Sequence, residues 1–347
     1  MISRPLGNTL PARALGALYG GVVAARNLLY DRLPLLSRTA PLPVVSVGGV
    51  HAGGSGKTPL VSLIARDLLD RGARVVVLSR GYARRESRAV VVAPSEPAPW
   101  ALVGDEPAMM RREMQGLWLG IGADRYANAC RVAARATGQG PVVALLDDGF
   151  QHRHLRRDLD IVCLPADPWN GHLLPAGYLR ESLRGIRRAD AVCIVGDDSQ
   201  LERMTADAGL VSGQYGVREV FVLVQRPDGW VEAISGTRSA TLPITRPALL
   251  CGIARPERFV RAVRRVGVEP VRNLLLPDHH RWTISEVSGA LAKPADGVVT
   301  TAKDAARMVS LQLANQTSIW YLTIRLRFAD VRQEERFRGI LHTRTHA

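Results

Sequence analysis

The chain of 347 residues predicts an α/β fold: a mainly parallel sheet covered on both faces by helices, followed by a smaller α/β unit. Three observations carry this. From Pro43 to about Gly213 short β-branched runs alternate with longer amphipathic segments. Several runs are apolar from end to end, as strands buried on both faces are. One strand–helix junction is a glycine-rich loop of the phosphate-binding kind. The length suits two domains of ordinary size. Hydrophobic residues make up 46%, enough for full cores, which excludes disorder for most of the chain.

Residues 1–35 are expected to form an N-terminal membrane-associating helix. In "NTLPARALGALYGGVVAARNLLYDRL" the uncharged stretch between Arg13 and Arg26 is too short to span a bilayer, which takes about 20 apolar residues. No clear small-residue cleavage site marks an exported protein. Leu15, Leu18, Val22, Ala25 and Leu29 share one helical stripe, flanked by Arg13, Arg26 and Arg32. A helix lying in a membrane interface, its basic residues on lipid phosphates, has this pattern. An ordinary amphipathic helix docked on the domain has it too, and the segment alone does not separate the two.

Residues 36–213 are expected to form the first domain. "PVVSVG" is a strand, and "KTPLVSLIARDLLDRG" has helical spacing and closes on Gly72. "ARVVVLS", "LWLGI", "PVVALL", "DLDIVCL" and "ADAVCIVG" are further strands. "DEPAMMRREMQ" and "DRYANACRVAARATG" are helices between them. Residues 214–347 are expected to form the smaller C-terminal α/β domain with a linking ribbon. There "VREVFVLVQ" and "WVEAIS" alternate like strands of an antiparallel ribbon. "ALLCGIARPERFVRAVRRVG" and "GVVTTAKDAARMV" then each read as strand and helix.

Lys and Arg total 46 against 32 Asp and Glu, a formal charge of +14. That balance favours an anionic partner: nucleic acid, an acidic membrane surface or a phosphorylated substrate. An Arg preference inherited from a high-GC genome is the alternative source. Aromatics at 5% argue against stacking platforms for single-stranded nucleic acid. Cys130, Cys163, Cys193 and Cys251 make no CxxC pair, and they read as small core residues in a reducing compartment.

In "VVSVGGVHAGGSGKTPL" the strand ends before the glycines and a helix begins at Lys57. Gly53, Gly54 and Gly56 permit backbone conformations closed to other residues. With Ser55 between them, their N–H groups can turn inward on a phosphate at the positive helix end. Lys57 adds a point charge, and Thr58 offers a hydroxyl to Mg²⁺. The domain is therefore P-loop NTPase-type. The strict pattern asks for Gly at position 51, where this chain has His51. The ParA/MinD class carries a further Lys before the glycines, where this chain has Ala52, and no N-K-x-D string marks a guanine reader.

A Mg-nucleotide site needs carboxylates. Asp147 and Asp148 end the buried strand of "VVALLDDGFQH", where open parallel sheets bind ligands. "VGDEP" puts Asp105 and Glu106 at a helix start, which alone reads as capping. "LLPAGYLRE" brings Arg180 and Glu181 together, one suited to phosphate and the other to a metal. "LPDHHRW" offers His279 and His280 for proton handling. "SRGYARR" is a basic loop in which Arg80 could hold an anion.

Taken in order, VGG…GGSGKTP, LSRGY, GDEP, DDGFQH, LLPAGYLRE, DHH and T-x-KD resemble the tetraacyldisaccharide 4′-kinase (LpxK) family from about residue 40 to 305. The resemblance implies an enzyme of lipid A biosynthesis on the cytoplasmic face of the inner membrane. It moves the γ-phosphoryl of ATP to the 4′-hydroxyl of a tetraacylated glucosamine disaccharide 1-phosphate, giving lipid IVA, and nucleic acid is no partner. It places Asp105 as the base for the hydroxyl proton, with His279 as its partner and Lys57 on the phosphates. Gly53 to Thr58 hold ATP, while Thr58, Asp147, Asp148 and Glu181 surround Mg²⁺. Arg80 and Arg180 face substrate. Many relatives read T-E-K-D where this chain has Ala302, so no role transfers to that position. The choice of His279 over His280 rests on the D-H register alone. The other reading is a membrane-associated P-loop ATPase that switches a protein partner.

Overall fold

The computed structural model describes residues 7, 9–82, 84, 86, 88–169, 171–253, 256–311 and 318–346. Its strands are β1 (Val44–Gly48), β2 (Arg74–Ser79), β3 (Val90–Val92), β4 (Trp118–Ile121), β5 (Val142–Asp147), β6 (Leu159–Pro165), β7 (Ala191–Gly196), β8 (Glu219–Glu232), β9 (Arg238–Ser239), β10 (Pro247–Cys251), β11 (Arg272–Leu275), β12 (Gly297–Thr301) and β13 (Ile319–Phe328). All lie in one sheet, in the order β11-β10-β12-β13-β8-β7-β6-β1-β5-β2-β4-β3, with β9 paired to β8 off this path. Its helices are α1 (Leu10–Arg32), α2 (Lys57–Asp70), α3 (Trp100–Val103), α4 (Asp105–Glu113), α5 (Arg125–Arg135), α6 (Leu201–Tyr215), α7 (Pro256–Arg265), α8 (Ile284–Ala290), α9 (Ala302–Met308) and α10 (Val331–Thr345).

β1 is buried at every position and runs parallel to both neighbours, β5 and β6. Its Val45 and Val47 meet Leu60, Val61, Ile64 and Leu68 of α2 on one face. Val44, on the other face, shares a core with Ala129 and Val132 of α5. This double cover is why the strands read as continuous apolar runs.

Strand direction reverses near the middle of the sheet, between β8 and β13, and again at the edge strand β3. β8 is parallel to β7 and antiparallel to β13, and β13, β12, β10 and β11 are then mutually parallel. Here the sequence expectation needs correction. "VREVFVLVQ" and "WVEAIS" are not two strands: Glu219–Gln225 of the first and Trp230–Glu232 of the second lie in the single 14-residue strand β8. Its ribbon partner is β13, far along the chain. Arg226 and Pro227 stay in the ladder opposite Arg325 and Ile324, and the register shifts beside Pro227, where Asp228 and Gly229 stand against Thr323 alone. An irregularity of this kind is where a ladder tolerates a residue without an N–H.

α1 docks through small residues. Ala12 and Gly16 are buried, and a Cβ on Gly20 would come within 2.5 Å of Leu173 Cδ1. Asn27 and Arg26 add hydrogen bonds to Glu181 and to the Gln151 carbonyl. The large apolar residues point away: Leu10, Leu15, Leu18, Val22 and Leu29 are all exposed.

The β8–β13–α10 seam is closed by three rings. Phe221 is fully buried and stands edge-on to Phe328 at 6.2 Å and to Phe337 at 5.2 Å between centroids. Phe221→Ala is expected to lower the unfolding free energy by about 3–5 kcal/mol in urea titration. A loss under about 1 kcal/mol would show that the seam does not depend on these rings.

Candidate active site

The loop after β1 is shaped by backbone first. Gly53, Gly54 and Gly56 have φ of 83°, 23° and 85°, the left-handed side that glycine adopts most readily. At Gly56 a Cβ would also meet Val195 Cγ1 at 2.7 Å, so no other residue fits there. Lys57 opens α2 directly behind it. Its ammonium lies 3.2 Å from Ser55 Oγ and 3.6 Å from Asp148 Oδ1. His51, standing where the strict pattern has Gly, is buried and bonds through Nε2 to the Pro168 carbonyl at 3.0 Å. Burial lowers its pKa, helped by the Lys57 charge against that hydrogen bond. The departure from the pattern is thus absorbed as an uncharged strut to the next loop.

β5 ends at Asp147, and Asp148 follows with φ 54°, unusual for a residue with a side chain. The turn sends the two carboxylates different ways. Asp148 takes Arg180 NH1 at 2.6 Å as well as Lys57. Burial pushes its pKa up, but those two cations outweigh it and hold it below the carboxylate range. Asp147 accepts a 3.4 Å hydrogen bond from Ser79 and has no ion pair among the described residues. Burial, then the charges of Glu106 and Asp148, push its pKa up to about 7.

α4 brings a second acidic pair. Gly104, with φ 93°, precedes it, and a Cβ there would meet the Tyr82 carbonyl at 2.8 Å. Glu106 Oε2 accepts from Thr58 Oγ1 at 3.2 Å, so the helix start reaches the phosphate loop. Asp105 is 1% exposed. Its Oδ2 faces His279 Nδ1 at 2.9 Å, Lys303 Nζ at 3.6 Å and Arg307 NH2 at 3.5 Å. Burial raises its pKa, yet the His279 hydrogen bond and the Lys303 and Arg307 charges together bring it below the usual value. Lys303 is raised in turn, because Glu106, Asp105 and Asp278 outweigh its own burial. His279 sits at φ 62°, with its N–H on Asp278 Oδ1. His280 instead bonds Glu286 at 3.0 Å, so geometry separates the two histidines that the sequence left side by side.

The remaining predicted residues divide. Arg180 lies on Asp148, inside the cluster. Arg80 is exposed, its guanidinium over the Tyr82 ring at 5.7 Å; Ala83 and Arg85 of that loop lie outside the described residues. Glu181 accepts from Asn27, Gln151 and Arg188 at 3.0, 2.8 and 2.7 Å, and it shares none of these partners with Thr58 or Asp147. Among the described residues no three His, Cys, Asp or Glu side chains group closely enough to cage a metal. A divalent cation that uses one or two carboxylates and completes its shell with phosphate oxygens suits the Thr58–Asp147–Asp148 side of the site. The raised pKa of Asp147 is the local sign of negative charge in want of such a cation.

Sequence reasoning missed Lys303 and Arg307 as partners of Asp105, Glu106 as a partner of Thr58, and buried Arg125 within the field of Asp147 and Asp148. Lys303 and Arg307 stand four apart in the T-x-KD helix, one face of one helix, and that spacing was the available signal.

The Asp147 environment yields a sign. An acid whose pKa is raised on folding loses stability as pH climbs from its unfolded value, about 4, through its folded one. Without divalent cation, Asp147→Asn is expected to raise the melting temperature at pH 8, by on the order of 1–3 kcal/mol of stability. The gain should vanish below about pH 4 and shrink when Mg²⁺ and nucleotide are added to both proteins. A gain independent of pH would show that the carboxylate bears no such charge cost.

Comparison with known proteins agrees with this geometry. The family model described as "Tetraacyldisaccharide-1-P 4'-kinase" (LpxK) matches residues 10–345. A tetraacyldisaccharide 4'-kinase of Anaeromyxobacter dehalogenans is 40% identical over 304 residues, covering 84% of this chain and 79% of that one. One from Koribacter versatilis is 37% identical over 335 residues, covering 92% and 96%. The crystal structure of the "apo" form of LpxK from Aquifex aeolicus, in complex with ATP, superposes with a TM-score of 0.78 at 27% identity, covering 96% and 98%. With a family match over nearly its whole length and a phosphate loop, acidic pair and histidine held together in one site, this chain belongs to the tetraacyldisaccharide 4'-kinase (LpxK) family.

Proposed function

We propose that the chain transfers the γ-phosphoryl of ATP to the 4′-hydroxyl of a tetraacylated glucosamine disaccharide 1-phosphate, giving lipid IVA, a step of lipid A biosynthesis. One observation carries it: a phosphate loop ending in Lys57 and an Asp105–His279 pair able to take a hydroxyl proton are tied together through Thr58, Glu106 and Lys303. A switch acting on a protein partner would not call for that pair, and the relatives are named as kinases. ATP as donor is supported by the solved relative, which is in complex with it.

In this reading the N–H groups from Gly53 to Thr58 and the start of α2 bind phosphate, and Lys57 leaves Asp148 for the transferring group. Thr58, Asp147 and Asp148 would hold Mg²⁺, which when bound neutralises phosphate charge. Glu181 acts instead on the docking of α1. Arg180 and Arg80 are placed for anionic groups of nucleotide or lipid. Residues 36–213 and 214–347 form two lobes whose approach brings His279 to Asp105. We place the enzyme on the cytoplasmic face of the inner membrane. Among the described residues no helix is long and apolar enough to cross a membrane. The support is α1: its small residues face the protein and its large apolar ones face out between Arg13, Arg26 and Arg32, as suits a helix half-sunk in lipid headgroups.

Lys57→Ala is expected to keep the fold, since Arg180 remains on Asp148. Turnover with ATP and the tetraacylated disaccharide monophosphate, read by lipid chromatography, should fall about 100-fold or more. Near-normal turnover would remove the phosphate-loop reading.

Leu15→Gln, Leu18→Gln and Val22→Gln combined should keep the melting temperature, since all three are exposed. They should move the protein from the floating to the unbound fraction in flotation with anionic phospholipid vesicles. Equal flotation would put the membrane contact elsewhere.

A further inference from the structure

Three donors satisfy Glu181, and one of them comes from the helix whose apolar residues face outward. Glu181 is 2% exposed. Its Oε1 accepts Gln151 Nε2 at 2.8 Å, and its Oε2 accepts Arg188 NH2 at 2.7 Å and Asn27 Nδ2 at 3.0 Å. Gly185 leaves it room: a Cβ there would come within 2.5 Å of Oε2. Asn27 belongs to α1 and reaches Glu181 across 154 residues of chain. α1 exposes Leu15, Leu18 and Val22, so a half-buried amide turned inward has a different task from theirs. A buried carboxylate keeps its place through the donors that satisfy it.

Gln151 is the next link, and its amide has one orientation open to it. Nε2 gives one hydrogen to Glu181 and the other to the Gly49 carbonyl at 3.0 Å. Turned over, the amide would set its oxygen against a carboxylate and a carbonyl, which only accept. Oε1 therefore faces Arg180 NH1 at 3.4 Å, and the same NH1 holds Asp148 at 2.6 Å. Gly49 lies against the phosphate loop: a Cβ there would stand 3.4 Å from Ser55 Oγ and 3.8 Å from Lys57 Cδ. Arg26, beside Asn27 in α1, donates to the Gln151 carbonyl at 2.7 Å. α1 thus holds both Glu181 and Gln151.

We propose that Asn27 is a positioning residue for phosphoryl transfer. Its amide fixes the Glu181 carboxylate, Glu181 fixes Gln151, and Gln151 sets both Arg180 on Asp148 and the start of the phosphate loop beside Lys57. This rests on the kinase reading above. Without the Asn27 donor, Oε2 keeps Arg188 alone, and the carboxylate is free to turn towards that guanidinium and away from Gln151. Arg180 and Gly49 then lose the amide that backs them. Small displacements of groups that orient a reacting phosphate are costly in rate even where binding survives. The helix that meets the membrane in that reading is by this route also part of the frame of the active site.

The test compares Asn27 variants of the full chain with a variant of a second α1 tether. Asp31 pairs with Arg153 at 2.6 Å, so Asp31→Ala loosens α1 without removing the Asn27 amide. Turnover is measured with ATP and the tetraacylated disaccharide monophosphate in mixed micelles. Asn27→Ala, and Asn27→Asp, which has the same shape but no hydrogen to give when ionised, should lower kcat by about 10–100-fold. KM for the lipid and flotation with anionic phospholipid vesicles should stay as in the parent. Asn27→Gln or Asn27→His, which keep a donor, should recover most of the loss, and Asp31→Ala should keep the parent kcat. A change confined to KM or flotation overturns the proposal. So does an equal fall in kcat for Asp31→Ala, or recovery in neither donor variant, since each would leave Asn27 a docking contact alone. Should Asn27→Ala not fold, the isosteric Asn27→Asp decides by the same criteria. If the parent protein itself does not phosphorylate the disaccharide, the kinase reading fails instead, an outcome distinct from an unchanged kcat.

Discussion

The 2.9 Å contact between Asp105 and His279 spans 174 residues of chain, and much of the structure serves to make it possible. On one side it needs α4 to begin at Asp105, which needs the positive φ of Gly104 pressed against the Tyr82 carbonyl. On the other it needs a left-handed His279 in the loop before α8. Between them the long β8–β13 pair reverses the strand direction and joins the C-terminal strands to the same sheet as the phosphate loop. Left-handed backbone at a residue with a side chain costs free energy and persists where surroundings over-determine it. Here Asp278 caps the His279 amide while Asp105 holds the ring.

Charge arrangement sets what each acid can do. Asp147, Glu106 and Asp148 crowd together; Asp148 has Lys57 and Arg180, and Glu106 has Lys303. Asp147 is left as the acid that a bound cation would relieve. A few residues away, Asp105 has the opposite fate: three donors surround it and keep it charged. Burial acts in the same direction on both carboxylates, so the sign of the outcome is decided by neighbours.

α1 inverts the usual logic of a docked helix. Ala12, Gly16 and Gly20 let its backbone approach the Leu173 loop, and polar Asn27 and Arg26 finish the contact. Through Asn27–Glu181–Gln151–Arg180 the same helix is hydrogen-bonded towards Asp148, so the element that faces outward is also joined to the phosphate end of the site.

What the sequence determined by itself was everything written in short-range pattern. Strand and helix alternation, the glycine loop with Lys57 and Thr58, and the Asp147-Asp148 strand end were legible because their residues act within a few positions of one another. The tertiary structure alone decided the rest. It merged two apparent strands into β8, because β13, some ninety residues later, pairs on both sides of a register shift at Asp228–Gly229. It separated His279 from His280, gave Glu106 to Thr58, turned Glu181 towards α1 and set Lys303 and Arg307 on Asp105. These outcomes depend on which side chains meet across the fold and how far each is removed from water, and both are properties of the folded chain that no local spacing encodes.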